Sequence, residues 1–480
     1  MNKFAMPRCG LLLLGSQWFK NTTTGKNTTG GTYADRLEKK TMEIIHHLSK
    51  SFDVTFPGIV YSKEDVIRTI KLFVNEEVDF IIATFMSWTE DSAWIRFLRD
   101  IPDIPLILFL PVEEEVKFEN YKSADALLHF LTSGQIVGTL EGSGSIKRMG
   151  RKVRVITGNI QDKETTRRIN AFGLASKAKN VLRNAQFGIL ANFNELMWST
   201  YIDPYRFFVE VGPEIKFISY NQLAEEIDKV TDKEVDFYLN QLQKNYQVLD
   251  SVDKKKFSAS ARASIGIARL ALDYSLDAVV LKDIDVALHK QVGLRPGFYH
   301  PDFNKHLSVL VPEADTATAA LMLAIKVMTK KCVNFIEPFY IETKGNVFAA
   351  GHAGPNDHTD SRFKKNVLIA PDTRYEGRPF KFAGAPFAWY RFPSGEKTMV
   401  HFSECNDRYK IVTTIVESIE GPHMIAGYSH SIFKTRILPT ELFEKIIDIG
   451  TNQHFVIVEG DIRKELEELA FISNYDYYTL

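Results

Sequence analysis

The chain has 480 residues, a net charge of −1 and an ordinary globular composition, 45% hydrophobic and 25% charged. Near-neutral charge excludes strong bulk attraction to nucleic acid or anionic lipid, and no run approaches the ~20 apolar residues of a membrane-spanning helix. Three cysteines, Cys9, Cys332 and Cys405, are too few and too scattered for a disulfide framework or a cysteine zinc site, so a reduced compartment, the cytoplasm, is expected.

Lys3 precedes four leucines, Leu11–Leu14, but no small-x-small cleavage site follows, so the run reads as a buried strand rather than an export signal. From there short apolar runs alternate with amphipathic stretches. CGLLLLGS, DVTFPGIV, VDFIIATF and IPLILFLP read as strands, and ADRLEKKTMEIIHHLSKSF, SKEDVIRTIKLFVNEE and EDSAWIRFLRDI as helices. Ser62 is an expected N-cap, with Asp65 in the capping-box position. This βαβα order predicts a parallel sheet covered on both faces. A second α/β stretch opens near residue 150 with RKVRVITGN and runs through AQFGILAN and DAVVLKDI to the helix TATAALMLAIKVMTK, 316–330. Beyond Lys331 the runs NVFAAGHAG, KNVLIAP, FKFAGAPFAWYRF, KTMVHFSEC and RYKIVTTIVES are short, β-rich and separated by Gly, Pro and Asn, which predicts an antiparallel sheet or barrel. PTELFEKIIDIG, QHFVIVEGD and IRKELEELAFI return to α/β. The expected architecture is two doubly wound parallel-sheet domains, 1–175 and 176–330, then a mainly antiparallel, barrel-like domain, 331–480, with terminal α/β elements.

Two phosphate-loop lookalikes fail. TTTGKNTT carries Lys20 where a Walker A loop needs glycine, and GSGSIK at 142–147 precedes a strand and lacks its third glycine. Four other residues stand out by setting. Glu313 sits in VPEADTATAA on the turn before a helix, where an acid also simply suits the helix dipole. Glu337 lies among apolar and aromatic residues in NFIEPFY, costly unless it is paired, metal-bound or on an exposed edge. His352 in AAGHAGPND and His430 in IAGYSHSIF have small neighbours that permit close approach, although a lone histidine has many structural uses. Two carboxylates and two imidazoles together suit Mn2+, Fe2+, Co2+ or Zn2+ better than Ca2+. Their separations of 24, 15 and 78 positions do not by themselves show convergence.

At these residues the sequence resembles the L-arabinose isomerase family, within the arabinose/fucose isomerase group. PEADTATAALMLAIKVM is similar to the family's E-G-D-x-x-T-A-A-L segment, NFIEPF to F-M-E-D-Y, AAGHAG to G-S-H and AGYSHSIF to G-G-A-H-H-T-V-F. ITGNIQDKETTRRI and NDRYKIV match further stretches in the same order, and GSQ near the start matches the family's G-S-Q. The resemblance implies an aldose–ketose isomerase acting on an open-chain sugar, an L-arabinose-like pentose or related aldose, by proton transfer between C1 and C2 through an enediol. It implies Glu313 and Glu337 as catalytic acid/base pair and metal ligands, His352 and His430 as the other ligands, and Gln17 as a substrate contact. It further implies a divalent metal, Mn2+ foremost with Co2+ or Mg2+ as alternatives. The expected partners are a sugar and further copies of the chain, in a trimer or hexamer with its site near a subunit interface, with neither nucleic acid nor membrane.

Three departures bear on the sugar. Trp18-Phe19-Lys20 replace the family's H-L-Y-G, Thr132-Ser133-Gly134 stand where the family carries a histidine, and Pro338 replaces the acid after the second glutamate. A fucose-type deoxysugar isomerase and a non-catalytic sugar-binding protein are the competing readings.

Overall fold

The computed structural model describes residues 3–116, 123–292, 297–373, 385–405, 407–425 and 427–480. The chain divides into two compact units, Ala5–Lys177 and Met1–Phe4 with Ala178–Leu480. No helix among the described residues is long and apolar enough to cross a membrane.

Ala5–Lys177 holds a five-stranded parallel sheet of β1 (Arg8–Leu14), β2 (Asp53–Thr55), β3 (Phe80–Phe85), β4 (Leu106–Pro111) and β5 (Arg154–Gly158), in the order β2-β1-β3-β4-β5. Leu11–Leu14 are buried because helices cover both faces of β1, so an alternating pattern is unnecessary. The helices Tyr33–Leu48 and Lys63–Asn75 both begin in capping boxes, Thr32 with Asp35 and Ser62 with Asp65. GSGSIK lies inside the helix Gln135–Arg148. A Cβ on its Gly142 would strike the Phe85 ring and come within 3.0 Å of Trp94 Nε1, so this glycine serves helix–sheet packing rather than a phosphate. β5, which opens the second α/β stretch in sequence, pairs with β4 and completes this first sheet.

The larger unit begins with a four-stranded parallel sheet, order β10-β9-β6-β7, of β6 (Gln186–Leu190), β7 (Glu214–Ile218), β9 (Ala278–Leu281) and β10 (Val309–Val311). A small sheet joins β8 (Gln247–Val248) to β13 (Val367–Pro371) and β14 (Pro386–Tyr390). The remaining strands are β11 (Val333–Glu342), β12 (Val347–Ala353), β15 (Gly395–Cys405), β16 (Arg408–Ile419), β17 (Tyr428–Thr435), β18 (Phe455–Glu459) and β19 (Asp476–Thr479). The order β15-β18-β11-β12-β17-β16 closes through β15–β16 into a six-stranded antiparallel barrel, with β19 parallel on β16. Closure removes the exposed edges that such strands would otherwise present. Its interior is one apolar cluster to which all six strands contribute, in cross-strand pairs such as Ile336–Phe455, Phe348–Phe433 and Met399–Ile457.

The helix Thr316–Thr329 links the parallel sheet to the barrel, touching β10 on one side and β11, β15 and β18 on the other. It has no polar face, and Thr316–Met328 are all buried, as expected of a helix covered all round. Its one lysine, Lys326, is satisfied inside, with Nζ donating to Tyr299 Oη at 2.7 Å and to the Ser308 carbonyl at 2.9 Å.

Two histidines, His401 fully buried and His300 half-buried, tie distant segments together. His401 on β15 donates from Nδ1 to the His454 carbonyl at 2.7 Å and meets Ser403 Oγ through Nε2 at 2.7 Å. His300 packs on the Tyr238 ring, with centroids 4.7 Å apart. Burial lowers both imidazoles from the usual value near 6.5 to about 4. Between these values the unfolded chain binds protons that the folded chain does not, so stability falls as pH drops from about 6.5 to about 4. For fully buried His401 the effect is on the order of 3 kcal/mol. Thermal midpoints measured across this window are expected to decline with acid, and to decline less steeply in His401→Asn. A second expectation concerns Gly351, whose register partners are Glu337 on one side and His430 on the other. A Cβ there would collide with the Ser429 carbonyl and lie 2.7 Å from His430 Cα. Gly351→Ala is therefore expected to destabilise the protein by about 1–3 kcal/mol in denaturant titration, the usual cost of overpacking.

Candidate metal centre

Glu313, Glu337 and His352 each offer one ligand atom to a group whose members all lie within 4.8 Å of one another. Three different elements deliver them. Glu313 stands on the loop between β10 and the helix Thr316–Thr329, Glu337 on β11 and His352 on β12. Barrel pairing brings Glu337 opposite Gly351, next to His352, and the helix docked on β11 brings Glu313 to the same place.

The Glu313 loop is held in an unusual backbone. Glu313 and the following Ala314 both have φ of 59°, a left-handed conformation costing each non-glycine residue roughly 1–2 kcal/mol. Surrounding hydrogen bonds enforce it. Asp283 Oδ1 accepts from the Glu313 N–H at 3.0 Å, and Asn194 donates to the Glu313 carbonyl at 3.2 Å. Asp315 caps the following helix, accepting from the Thr318 N–H at 2.8 Å and its hydroxyl at 2.9 Å. Strain enforced in this way is characteristic of sites where a side chain must be aimed.

The Glu313 carboxylate is shared between two imidazoles. His352 Nε2 lies 3.3 Å from Oε1, and His454 Nε2 lies 3.1 Å from Oε2. The same two rings approach Glu337, His352 at 3.9 Å from Oε2 and His454 at 3.6 Å from Oε1. Phe335 packs against both rings, with centroids 4.7 and 4.6 Å away. Burial by itself would push the Glu313 carboxyl up, but the two imidazoles outweigh it and hold the group well below the usual carboxylate range. Burial works against a charged His454, yet Asp315, Glu313 and Glu337 raise it well above the ordinary histidine value. The carboxylates differ in access, the Glu337 side chain being 25% exposed and Glu313 8%.

The donor set suits a divalent ion. Two carboxylates carry the charge and an imidazole supplies a borderline-soft nitrogen, a mixture fitting Mn2+, Co2+ or Mg2+-like ions. The pocket also retains unsatisfied polarity, since His352 Nδ1 is buried without a hydrogen-bond partner.

The sequence-predicted residues are therefore not all in one place. The structure brings Glu313, Glu337 and His352 together. His430 is paired with Gly351, which puts Gly351 between it and Glu337. Its Nδ1 donates to the Tyr428 carbonyl at 3.0 Å and its Nε2 accepts from the Met424 N–H at 2.9 Å, so both nitrogens are engaged by its own loop. It lines a separate cavity of about 150 Å³ with Arg391, Phe392 and Met424. Gln17 belongs to the other unit, exposed at the start of the helix Gln17–Asn21, with its backbone N–H donating to Glu90 at 3.0 Å. His454 went unnoticed in the sequence. The available signal was a histidine abutting the continuous apolar run Phe455–Val458, the same texture that singled out Glu337.

No profile of a known protein family matches the chain. Over 291 residues it is 24% identical to the L-arabinose isomerase of Yersinia enterocolitica, a match covering 58% of this chain and 56% of that protein. The L-arabinose isomerase of Yersinia pestis is 25% identical over 291 residues, with the same coverage. The chain thus spans about half the length of the curated relatives it matches. Among solved structures, an ABC transporter solute-binding protein from Burkholderia multivorans aligns at 13% identity over 68% of this chain and 92% of that one, but a TM-score of 0.15 carries no argument about shape. The chain is distantly similar to L-arabinose isomerases.

Proposed function

We propose that this protein is a divalent-metal-dependent aldose–ketose isomerase that moves a proton between C1 and C2 of an open-chain sugar, an L-arabinose-like pentose or a related aldose. The observation that carries this reading is the convergence of Glu313, Glu337 and His352 on one small volume. The distant similarity to L-arabinose isomerases supports the reaction class.

Glu313, Glu337 and His352 would hold the metal, Mn2+ foremost, with Co2+ or Mg2+ as alternatives. When bound, such an ion polarises the carbonyl and hydroxyl oxygens of a sugar and stabilises negative charge developing on them. The chain's own residues supply the proton chemistry. Glu337, the more accessible carboxylate, faces an incoming substrate, while Glu313 is held back by its two imidazoles. A carboxylate on either side of the C1–C2 edge removes a proton from one carbon and returns it to the other through an enediol. Phe335 and the apolar helix behind Glu313 keep water from the buried side of the pair, which strengthens every charge interaction there. Gln17 is a proposed sugar contact, and a trimer or hexamer in the cytoplasm the proposed working form.

Protein stripped with chelator and resupplied in turn with Mn2+, Co2+ or Mg2+ is expected to regain ketose formation on a panel of pentoses, hexoses and deoxysugars. Failure with every metal and every sugar would remove the proposal. Glu313→Gln and Glu337→Gln are each expected to lower kcat by about 10²–10⁴, the usual contribution of a positioned acid or base, while circular dichroism stays that of the parent. Wild-type-like turnover in either variant contradicts the assignment.

A further inference from the structure

We propose that a cavity in the Ala5–Lys177 unit binds a neutral, polyhydroxylated ligand of sugar size. Its volume is about 560 Å³, and every residue lining it belongs to that unit. Small-molecule sites occupy roughly 300–1,000 Å³. The proposal does not rest on the metal-dependent reading.

Its place in the fold is the first observation. Two walls are the segments 111–114 and 159–161, which leave the carboxyl ends of β4 and β5, and a third is the helix Tyr33–Leu48. Open parallel sheets take their ligands off those strand ends.

The second observation is polarity held ready inside the cavity. Gln135 lines it and is only 5% exposed. Thr139 Oγ1 donates to its backbone carbonyl at 2.9 Å, but its side-chain amide has no partner among the described residues. A primary amide donates and accepts at once, so its best complement is a group that does the same, as a hydroxyl does. Two further groups are fixed with capacity to spare. Asn159 Oδ1 accepts from the Gln161 N–H at 2.9 Å, which leaves Nδ2 to donate. Glu113 Oε1 accepts from Lys40 Nζ at 2.7 Å and from Ser133 Oγ at 3.1 Å, which leaves Oε2 to accept.

The third observation is charge. Lys40 and Lys50 face Glu43, Glu113 and Glu114, so the nearly balanced walls select neither a strong anion nor a strong cation. Burial, with Lys50 and His46, holds His47 below the ordinary histidine value, so at pH 7 it too is uncharged. Between the polar groups Ile44, Val112 and Ile160 present hydrocarbon. That mixture matches a sugar, whose C–H faces meet apolar walls while its hydroxyls reach the amides.

The test uses the full chain treated with chelator, so that binding is read apart from any metal-dependent turnover. Saturation-transfer NMR titrations take arabinose, glucose and sorbitol as neutral probes, gluconate as an anion and glucosamine as a cation. At least one neutral probe is expected to bind saturably and to be retained in Glu337→Gln. Its affinity is expected to weaken by roughly tenfold in Gln135→Met, the loss of one hydrogen-bonding partner, and to vanish in Ile160→Trp, which fills the cavity. Should these variants not fold, hydrogen exchange on the parent decides, with protection of amides 159–161 by the neutral probe expected. No saturable neutral probe, preference for gluconate or glucosamine, binding unchanged in both cavity variants, loss in Glu337→Gln, or no protection of that segment each overturns the site. None of these outcomes bears on isomerisation by the metal-loaded protein, and failure of that reaction leaves this site standing.

Discussion

Two neighbouring carboxylates cannot both stay ionised away from water without positive charge between them, because desolvation and mutual repulsion both oppose their ionisation. Glu313 and Glu337 are placed in that situation, and much of the surrounding architecture answers it. Two imidazoles straddle the pair, each in reach of both acids. Removing either acid would leave an imidazole short of a partner, and removing an imidazole would leave charge unopposed. The cluster is a unit whose members make sense only together, with a cation as its natural complement.

Assembling it depends on connections distant in the chain. Glu313 comes from the loop that ends the parallel sheet, while Glu337, His352 and His454 come from the barrel. The helix Thr316–Thr329 is the physical link. Being apolar on every side, it can be satisfied only when covered by both β10 and the barrel strands, and satisfying it brings its N-terminal loop to the strand ends that carry the other donors. Apolar burial thus fixes the relative position of groups whose own interactions are polar. The two left-handed residues at Glu313 and Ala314 are tolerated because Asp283, Asn194 and Asp315 hold that loop.

How far this could be read from the chain follows from the range of the forces involved. Continuous apolar strands such as Leu11–Leu14, capping boxes such as Ser62 with Asp65, and the change to short β-rich runs after Lys331 are local signals, and the parallel sheets and antiparallel barrel follow them. Glu313, Glu337 and His352 were visible because an acid or imidazole in apolar or small-residue surroundings is locally costly and therefore conspicuous. His454 has the same texture, but nothing in its neighbourhood says that β18 will lie beside β11, since that pairing is fixed by barrel closure. His430 shows the converse. Its segment is the right one by order along the chain, and the strand it sits on does pair with β12, but the intervening Gly351 and the bonds of its own loop occupy it elsewhere. GSGSIK, which the missing third glycine already sets apart from a phosphate loop, owes its Gly142 to close packing on Phe85.

Crystals of the full chain grown with Mn2+ and measured for anomalous scattering decide whether Glu313, Glu337 and His352 hold a catalytic divalent metal, as proposed. A single strong anomalous peak among the Glu313 and Glu337 carboxylates and His352 Nε2 is the predicted result. Fully ordered side chains at that position with no peak, or a peak seated elsewhere in the protein, would contradict a metal held by these three residues.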